Sequence, residues 1–250
     1  NYVRLSKPEH QQKHTGLENE GFFGIGVEEG SKYRFSVWAR CIGSEQRISL
    51  ELMKSDRNDD SQAFVIHEMV IDSTEWKKYE VILTSTLTEY QSHFRLFLQT
   101  QGDVDLCHIS LFPVDTFNGR INGLRKDLAQ ALYDLKPGVF RFPGGCVVEG
   151  LNEKTRYQWK NTVGAVENRP VNENLWGYSN TFRFFPQYYQ TLGLGFFEYF
   201  QLAEDIGAEP LPVLNVDMVC QARNTDDQQL PLSMIGQFIQ DALDLIEFAN

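Results

Sequence analysis

The sequence predicts a β-sandwich over residues 1–114 joined to an incomplete α/β portion over residues 115–250. Three observations carry that reading. Apolar residues recur with a period of two from Tyr33 to Phe112, as a strand with one buried face requires. After Phe112 they recur with the period of a helix. In that second stretch strands alternate with helices, which makes parallel βα units.

In the first half Tyr33, Phe35, Val37 and Ala39 alternate with Lys32, Arg34, Ser36 and Arg40, and Ile48, Leu50 and Leu52 repeat the pattern. Tyr79, Val81 and Leu83 follow Trp76, and Phe94, Leu96 and Leu98 alternate with Arg95 and Gln99. Several short strands at this spacing make a sandwich of jelly-roll type. The polar stretch from Lys54 to Gln62 is a solvated loop between two of them. Past a boundary near residue 115, Leu124, Leu128, Leu132 and Leu135 share a helical face that Lys136, Pro137 and Gly138 bring to an end. An apolar strand, Val139 to Phe142, closes on Pro143, Gly144 and Gly145, and a long aromatic loop runs to about Leu192. A second helix sets Phe196, Tyr199, Phe200, Ala203 and Ile206 on one face and is capped by Gly207 before the strand Pro210 to Leu214. A third places Ile235, Ile239, Ala242, Ile246 and Ala249 in register. A TIM-type (β/α)8 barrel needs about 250 residues for itself, so two clear strands are at most its opening. An open doubly wound sheet fits the strand count too, but the turn after the first strand lacks GxGxxG, which argues against a dinucleotide site.

The chain of 250 residues has a formal net charge of −11. Phosphate binding rests on clustered Lys and Arg, so neither nucleic acid nor an anionic membrane is an expected partner. There is no run of eighteen apolar residues to span a bilayer. Neutral ligands fit better, and an aromatic content of 13% suits sugars, although ordinary cores account for most of those rings. Cys41, Cys107, Cys146 and Cys220 stand far apart, with no CxxC and no short Cys/His spacing, so a metal is not expected. The even count permits disulfides and leaves the redox compartment open. The five histidines stand at or before His108, away from any Ser or Cys elbow, which disfavours a Ser/His/Asp hydrolase. Asn1 opens a polar segment with neither Met nor signal peptide, and the amino end reads as trimmed.

In parallel βα units the working residues project from the carboxyl ends of strands. Here those ends carry Arg141, Gly144, Gly145 and Cys146, then Asn215, Asp217 and Cys220. An Arg in a buried parallel strand is costly unless a carboxylate or a ligand accepts its fork of donors, so Arg141 either pairs with a core acid or serves a site. Adjacent glycines let backbone approach a ligand, and they also serve any sharp turn. Glu149 and Asp217 invite comparison with the two carboxyl groups of a retaining glycosidase, about 5 Å apart; acids on the loops of an acidic protein are ordinarily just solvated. Trp159, Trp176, Tyr178, Phe182, Phe184, Phe185, Tyr188 and Tyr189 crowd the long loop, where one or two can line a sugar site while the rest pack it down.

The stretch GVFRFPGGCVVEG, residues 138–150, resembles the α-L-arabinofuranosidases of glycoside hydrolase family 51, in the form with a carbohydrate-binding-like sandwich ahead of the barrel. VGAVENRPVNENLW at 163–176, GLGFFEYFQLAEDIGAEPLPVLN at 193–215 and the terminal DLIEFAN extend the likeness. In the first half GIGVEEGSKYRFSVWAR and STEWKKYEVIL look like strands of a galactose-binding-type module. The resemblance implies cleavage of terminal arabinofuranosyl units from arabinan, arabinoxylan and related polysaccharides or oligosaccharides, with retention and without a cofactor. It also favours an extracellular or periplasmic location and allows an oligomer. It gives Arg141 the role of orienting the nucleophilic carboxylate, sets Cys146 beside the sugar hydroxyls and places Trp176 near the leaving group. Asn215, at the second strand's end, joins them as a substrate-binding candidate. The family's acid/base Glu belongs to a Gly-Asn-Glu segment after a later strand and its nucleophile to a strand later still. Both are expected beyond Asn250, leaving no catalytic carboxylate in this chain and the fragment inactive.

Two other readings concern the sandwich, as a non-catalytic carbohydrate-binding module or as a structural spacer. A binder needs exposed aromatics on one sheet face, and Trp38 and Phe97, both out of phase with their neighbours, are the candidates.

Overall fold

The structure is a computed structural model that describes residues 2–10, 15–54, 63–178, 188–220 and 231–250. Most of the polar loop after Lys54, and Phe182, Phe184 and Phe185 of the aromatic loop, lie outside the described residues. The chain divides into two compact units, Asn1–Leu128 and Ala129–Asn250.

The first unit is a sandwich of two antiparallel sheets. One orders β1 (Val3–Lys7), β9 (Gly102–Pro113), β4 (Lys32–Ile42) and β7 (Lys77–Thr84). The other orders β2 (Thr15–Asn19), β8 (Glu89–Leu98), β5 (Gln46–Met53) and β6 (Ala63–Ile71), with β3 (Ile25–Val27) also on β8. The period of two does what it predicts: Phe35, Val37 and Ala39 of β4 are buried with Ile48, Leu50 and Leu52 of β5 and Leu96 and Leu98 of β8. Each large side chain so removed from water contributes about 1.5–3 kcal/mol. Between strands β1, β9 and β4 lies the buried carboxylate of Asp105, which accepts from Arg4 Nε at 2.7 Å and Nη2 at 3.0 Å, and from Arg40 Nε at 3.0 Å. Arg40 also lies over the ring of Trp76, 4.9 Å from its centroid.

Trp38 and Phe97 are not the exposed platform expected of them; both are half-buried. The β4–β9 register shifts between Ser36 and Trp38, which alters the phase there, and Arg95 covers Phe97 with its guanidinium carbon 6.0 Å from the ring centroid. The most exposed rings among the described residues of this unit are Phe22 and Phe23, an edge-to-face pair at 4.7 Å on the loop before β3.

In the second unit β10 (Val139–Phe142) pairs in parallel with β13 (Glu209–Pro212), Arg141 standing opposite Leu211. The described residues of this unit show two parallel strands. Helix α3 (Phe196–Ile206) precedes β13 and ends at Gly207, whose φ of 71° is the left-handed cap glycine favours. Phe142 is the centre of the core, with ring centroids of Tyr199 at 4.9 Å and of Phe196 and Phe200 at 5.3 Å. Helix α4 (Ile235–Ala249) joins this core through Leu245, and its Asp241 carbonyl accepts from Trp159 Nε1 at 3.0 Å. The hairpin of β11 (Asn172–Glu173) with β12 (Tyr189–Gln190) closes the long loop.

Two helical faces differ from expectation. In α1 (Lys126–Asp134) Ala129 is buried, whereas Leu128 and Leu132, with Leu135 just after, are exposed. In α4 the buried side chains are Phe238, Asp241 and Leu245, while Ile235, Ile239 and Ile246 are exposed. Asp241 made the inner face look polar, yet Gln158 Nε2 donates to it at 2.7 Å and Lys160 Nζ lies at 2.8 Å, which satisfies its burial. Among the described residues no helix is long and apolar enough to cross a membrane.

Candidate functional site at the carboxyl end of the first parallel strand

Strand β10 ends in the Gly-Gly turn, where Gly144 has a φ of 131°. Arg141 is exposed, and its Nη2 lies 3.9 Å from where a β-carbon on Gly145 would stand. The guanidinium therefore sits against the turn. Among the described residues no carboxylate pairs with it.

The turn leads into α2 (Cys146–Glu149), a single helical turn around which the other candidates gather. Gly150, with a φ of 69°, ends it where a β-carbon would meet Arg156 N at 2.5 Å, so any larger residue must displace backbone. The segment after β13 is strapped onto α2. Asn215 donates through Nδ2 to the carbonyls of Val148 at 3.2 Å, Glu149 at 3.4 Å and Met218 at 2.9 Å, and its Oδ1 accepts from Met218 N at 2.8 Å. Cys220 N–H donates to the Gly150 carbonyl at 2.8 Å. Both ends of the Asn215 amide are thus engaged in holding the loop, which makes it a brace for its neighbours.

This strapping brings together two cysteines that the sequence keeps apart. The sulfurs of Cys146 and Cys220 and a carboxylate oxygen of Glu149 all lie within 4.8 Å of one another. The Cys146 thiol is held above its usual range, first by its hydrogen bond with Cys220 and then by burial. No short spacing announced this cluster; only the parallel pairing of β10 with β13 creates it. Asp217, the other half of the carboxylate pair considered above, does not belong to the cluster. It is buried at a φ of 68°, and neither carboxylate oxygen has a hydrogen-bond partner among the described residues.

Trp176 rides on the turn at Leu175–Tyr178, which lies against α2, and its backbone N–H donates to Asn174 Oδ1 at 2.9 Å. It is half-buried, while Tyr157 and Trp159 of the same loop are buried in the core. The loop is fixed by Arg169, a residue the sequence did not single out. Its buried guanidinium pairs with Glu198, Nη2 to Oε1 at 2.7 Å and Nη1 to Oε2 at 2.9 Å, and also donates to the carbonyls of Gly164 and Leu192. Glu198 accepts in turn from Gly195 N at 2.8 Å, so one carboxylate caps α3 and anchors the loop. An isolated Arg in a loop gave no signal of this.

Residues 131–250 match a family described as "Alpha-L-arabinofuranosidase 1 domain", and residues 2–104 one described as "Carbohydrate binding domain". An extracellular exo-alpha-L-arabinofuranosidase of Streptomyces chartreusis is 40% identical over 94% of this chain and 28% of its own length. Alpha-L-arabinofuranosidase 1 of Arabidopsis thaliana is 35% identical over 94% of this chain and 32% of its own length. The solved structure of the arabinose-bound α-L-arabinofuranosidase MgGH51 superposes with a TM-score of 0.83 at 28% identity, covering 99% of this chain and 38% of that one. The chain thus spans roughly a third of the length of the relatives it matches.

Proposed function

We infer the function from one premise, that this chain belongs to the α-L-arabinofuranosidases of glycoside hydrolase family 51. Its second unit forms the first βα units of a (β/α)8 barrel, and its first is the accompanying sandwich. The whole enzyme releases terminal arabinofuranosyl units from arabinan, arabinoxylan and similar chains outside the cell, with retention, and residues of this chain form one wall of the sugar pocket. Arg141 orients the attacking carboxylate, Cys146 lies beside the sugar hydroxyls and Trp176 stands toward the leaving group. Asn215 holds the loop that completes the wall. The two reacting carboxylates, which retaining chemistry needs about 5 Å apart, come from other parts of the enzyme.

The observation that carries this is Arg141 itself, exposed at the carboxyl end of a parallel strand, against a Gly-Gly turn, with no acid partner among the described residues. Such a fork of donors binds a carboxylate bidentately when one is presented. Replacing Arg141 with Ala in the full-length enzyme should lower kcat on an aryl arabinofuranoside at least a hundredfold while leaving the melting temperature within about 2 °C. An active variant, or one that simply unfolds, removes the assignment.

A sugar-binding role for the sandwich is favoured by one feature. Phe22 and Phe23 are 88% and 86% exposed and line a pocket with Glu20, Gln91 and His93, an apolar face rimmed by polar groups. Affinity electrophoresis of the chain in arabinan and arabinoxylan gels should show retardation that Phe22→Ala and Phe23→Ala abolish; unretarded migration leaves the sandwich as a spacer.

A further inference from the structure

We propose that Cys146, Glu149 and Cys220 form a binding site for a thiophilic divalent cation of the zinc class. Their three ligand atoms lie within 4.8 Å of one another. Tetrahedral zinc holds sulfur at about 2.3 Å and carboxylate oxygen at about 2.0–2.2 Å, which sets neighbouring ligand atoms roughly 3.5–4 Å apart. Small side-chain rotations therefore suffice to close the three donors on one ion.

The backbone that presents them is already fixed. Cys146 and Glu149 lie on α2, Cys220 on the loop after β13, and the two segments are tied by Asn215 Nδ2 to the Val148 and Glu149 carbonyls and by Cys220 N–H to the Gly150 carbonyl. Those bonds fix the backbone that carries the donors, as groups behind a metal site commonly orient its ligands. Two sulfurs and one oxygen select zinc or cadmium over magnesium or calcium, which want oxygen alone. Cys220 is buried, whereas Cys146 and Glu149 are half-buried, so an ion can enter from the open side and keep a water as fourth ligand. On binding, the cation replaces the two thiol protons, which pass to solvent, and two thiolates with one carboxylate offset its charge. The inference concerns the metal alone and stands whether or not Cys146 also meets a sugar.

The test uses the whole chain, stripped of metal and fully reduced with a phosphine, titrated with cadmium and zinc by calorimetry and by the ultraviolet band of cadmium–thiolate charge transfer. One equivalent per chain should bind, unaffected by excess magnesium or calcium. Cys220→Ser and Glu149→Gln should each weaken binding tenfold or more, and Cys107→Ser should not. Should a variant fail to fold, the cadmium-113 resonance of the unmodified chain decides, because two sulfur ligands move it far from the position of an oxygen-only site. No stoichiometric binding by the reduced chain, an oxygen-only resonance, or a folded Cys220→Ser variant with undiminished affinity overturns the proposal. A Cys146–Cys220 disulfide whose reduction restores no metal binding overturns it as well.

Discussion

The buried pair of Arg169 and Glu198 offers a sharp test of what holds the long loop in place. The Arg169 side chain is 3% exposed and that of Glu198 26%, with both N–H···O bonds at or under 2.9 Å. Substituting Glu198 with Gln keeps the shape and removes the charge, leaving a guanidinium in the interior without its counter-ion. Breaking a fully buried pair in this way costs about 3–5 kcal/mol. Here the carboxylate is partly wet, and Arg169 retains the carbonyls of Gly164 and Leu192, so about 2 kcal/mol is the expected loss. At about 1.4 kcal/mol per factor of ten, that is about a thirtyfold loss of amide protection. Hydrogen exchange followed by mass spectrometry should show it in peptides covering 163–176 and 190–200, with β4 of the sandwich unchanged. Combining Arg169→Met with Glu198→Leu should recover part of the loss, since an apolar pair strands no charge. A change under threefold, equal loss in the sandwich, or a double variant worse than both singles would refute the reasoning.

Other outcomes follow from the same structure. Arg4 first, and Arg40 after it, hold the Asp105 carboxyl below the usual carboxylate range. A depressed folded value means that the stability it contributes is present above about pH 4 and lost as pH falls through that lower value; denaturant titrations of the sandwich between pH 6 and 2 should show this acid limb, and Asp105→Asn should flatten it. The 250-residue chain alone should not hydrolyse an aryl arabinofuranoside, because Glu149 stands among thiols and Asp217 outside their cluster. Aryl release that Glu149→Gln or Asp217→Asn abolishes would make that pair catalytic after all.

The sandwich was legible because a strand's period of two translates directly into one buried face, as Phe35, Val37 and Ala39 show. It failed at Trp38, where a shift in pairing with β9 alters the phase, and no local pattern encodes a partner's register. The helices were placed correctly, yet the buried faces of α1 and α4 were not, because a helix with apolar residues on two sides leaves the choice to its neighbours. The Gly-Gly turn and Arg141 could be read from chain order, since they are contiguous. Cys220, Asp241 and Arg169 could not: their partners are Cys146, Trp159 with Lys160, and Glu198, all distant in sequence and brought together only by the tertiary fold.

Cys146 stands at the meeting of the proposed sugar pocket and the proposed cation site, and its ionisation separates the two. Its hydrogen bond with Cys220 and its burial keep the thiol above its ordinary range, so at neutral pH it is the uncharged group. A neutral thiol is a poor nucleophile. Beside a sugar it acts as a small, weakly polar contact, a part that an amide of similar size can also play. A cation, in contrast, needs the thiolate. Cys146→Asn should therefore divide the roles: in the full-length enzyme KM for an aryl arabinofuranoside should change less than about fivefold, while cadmium affinity should fall tenfold or more, as expected for loss of a ligand. If KM rises and cadmium affinity persists, the sulfur serves the sugar and the metal lies elsewhere.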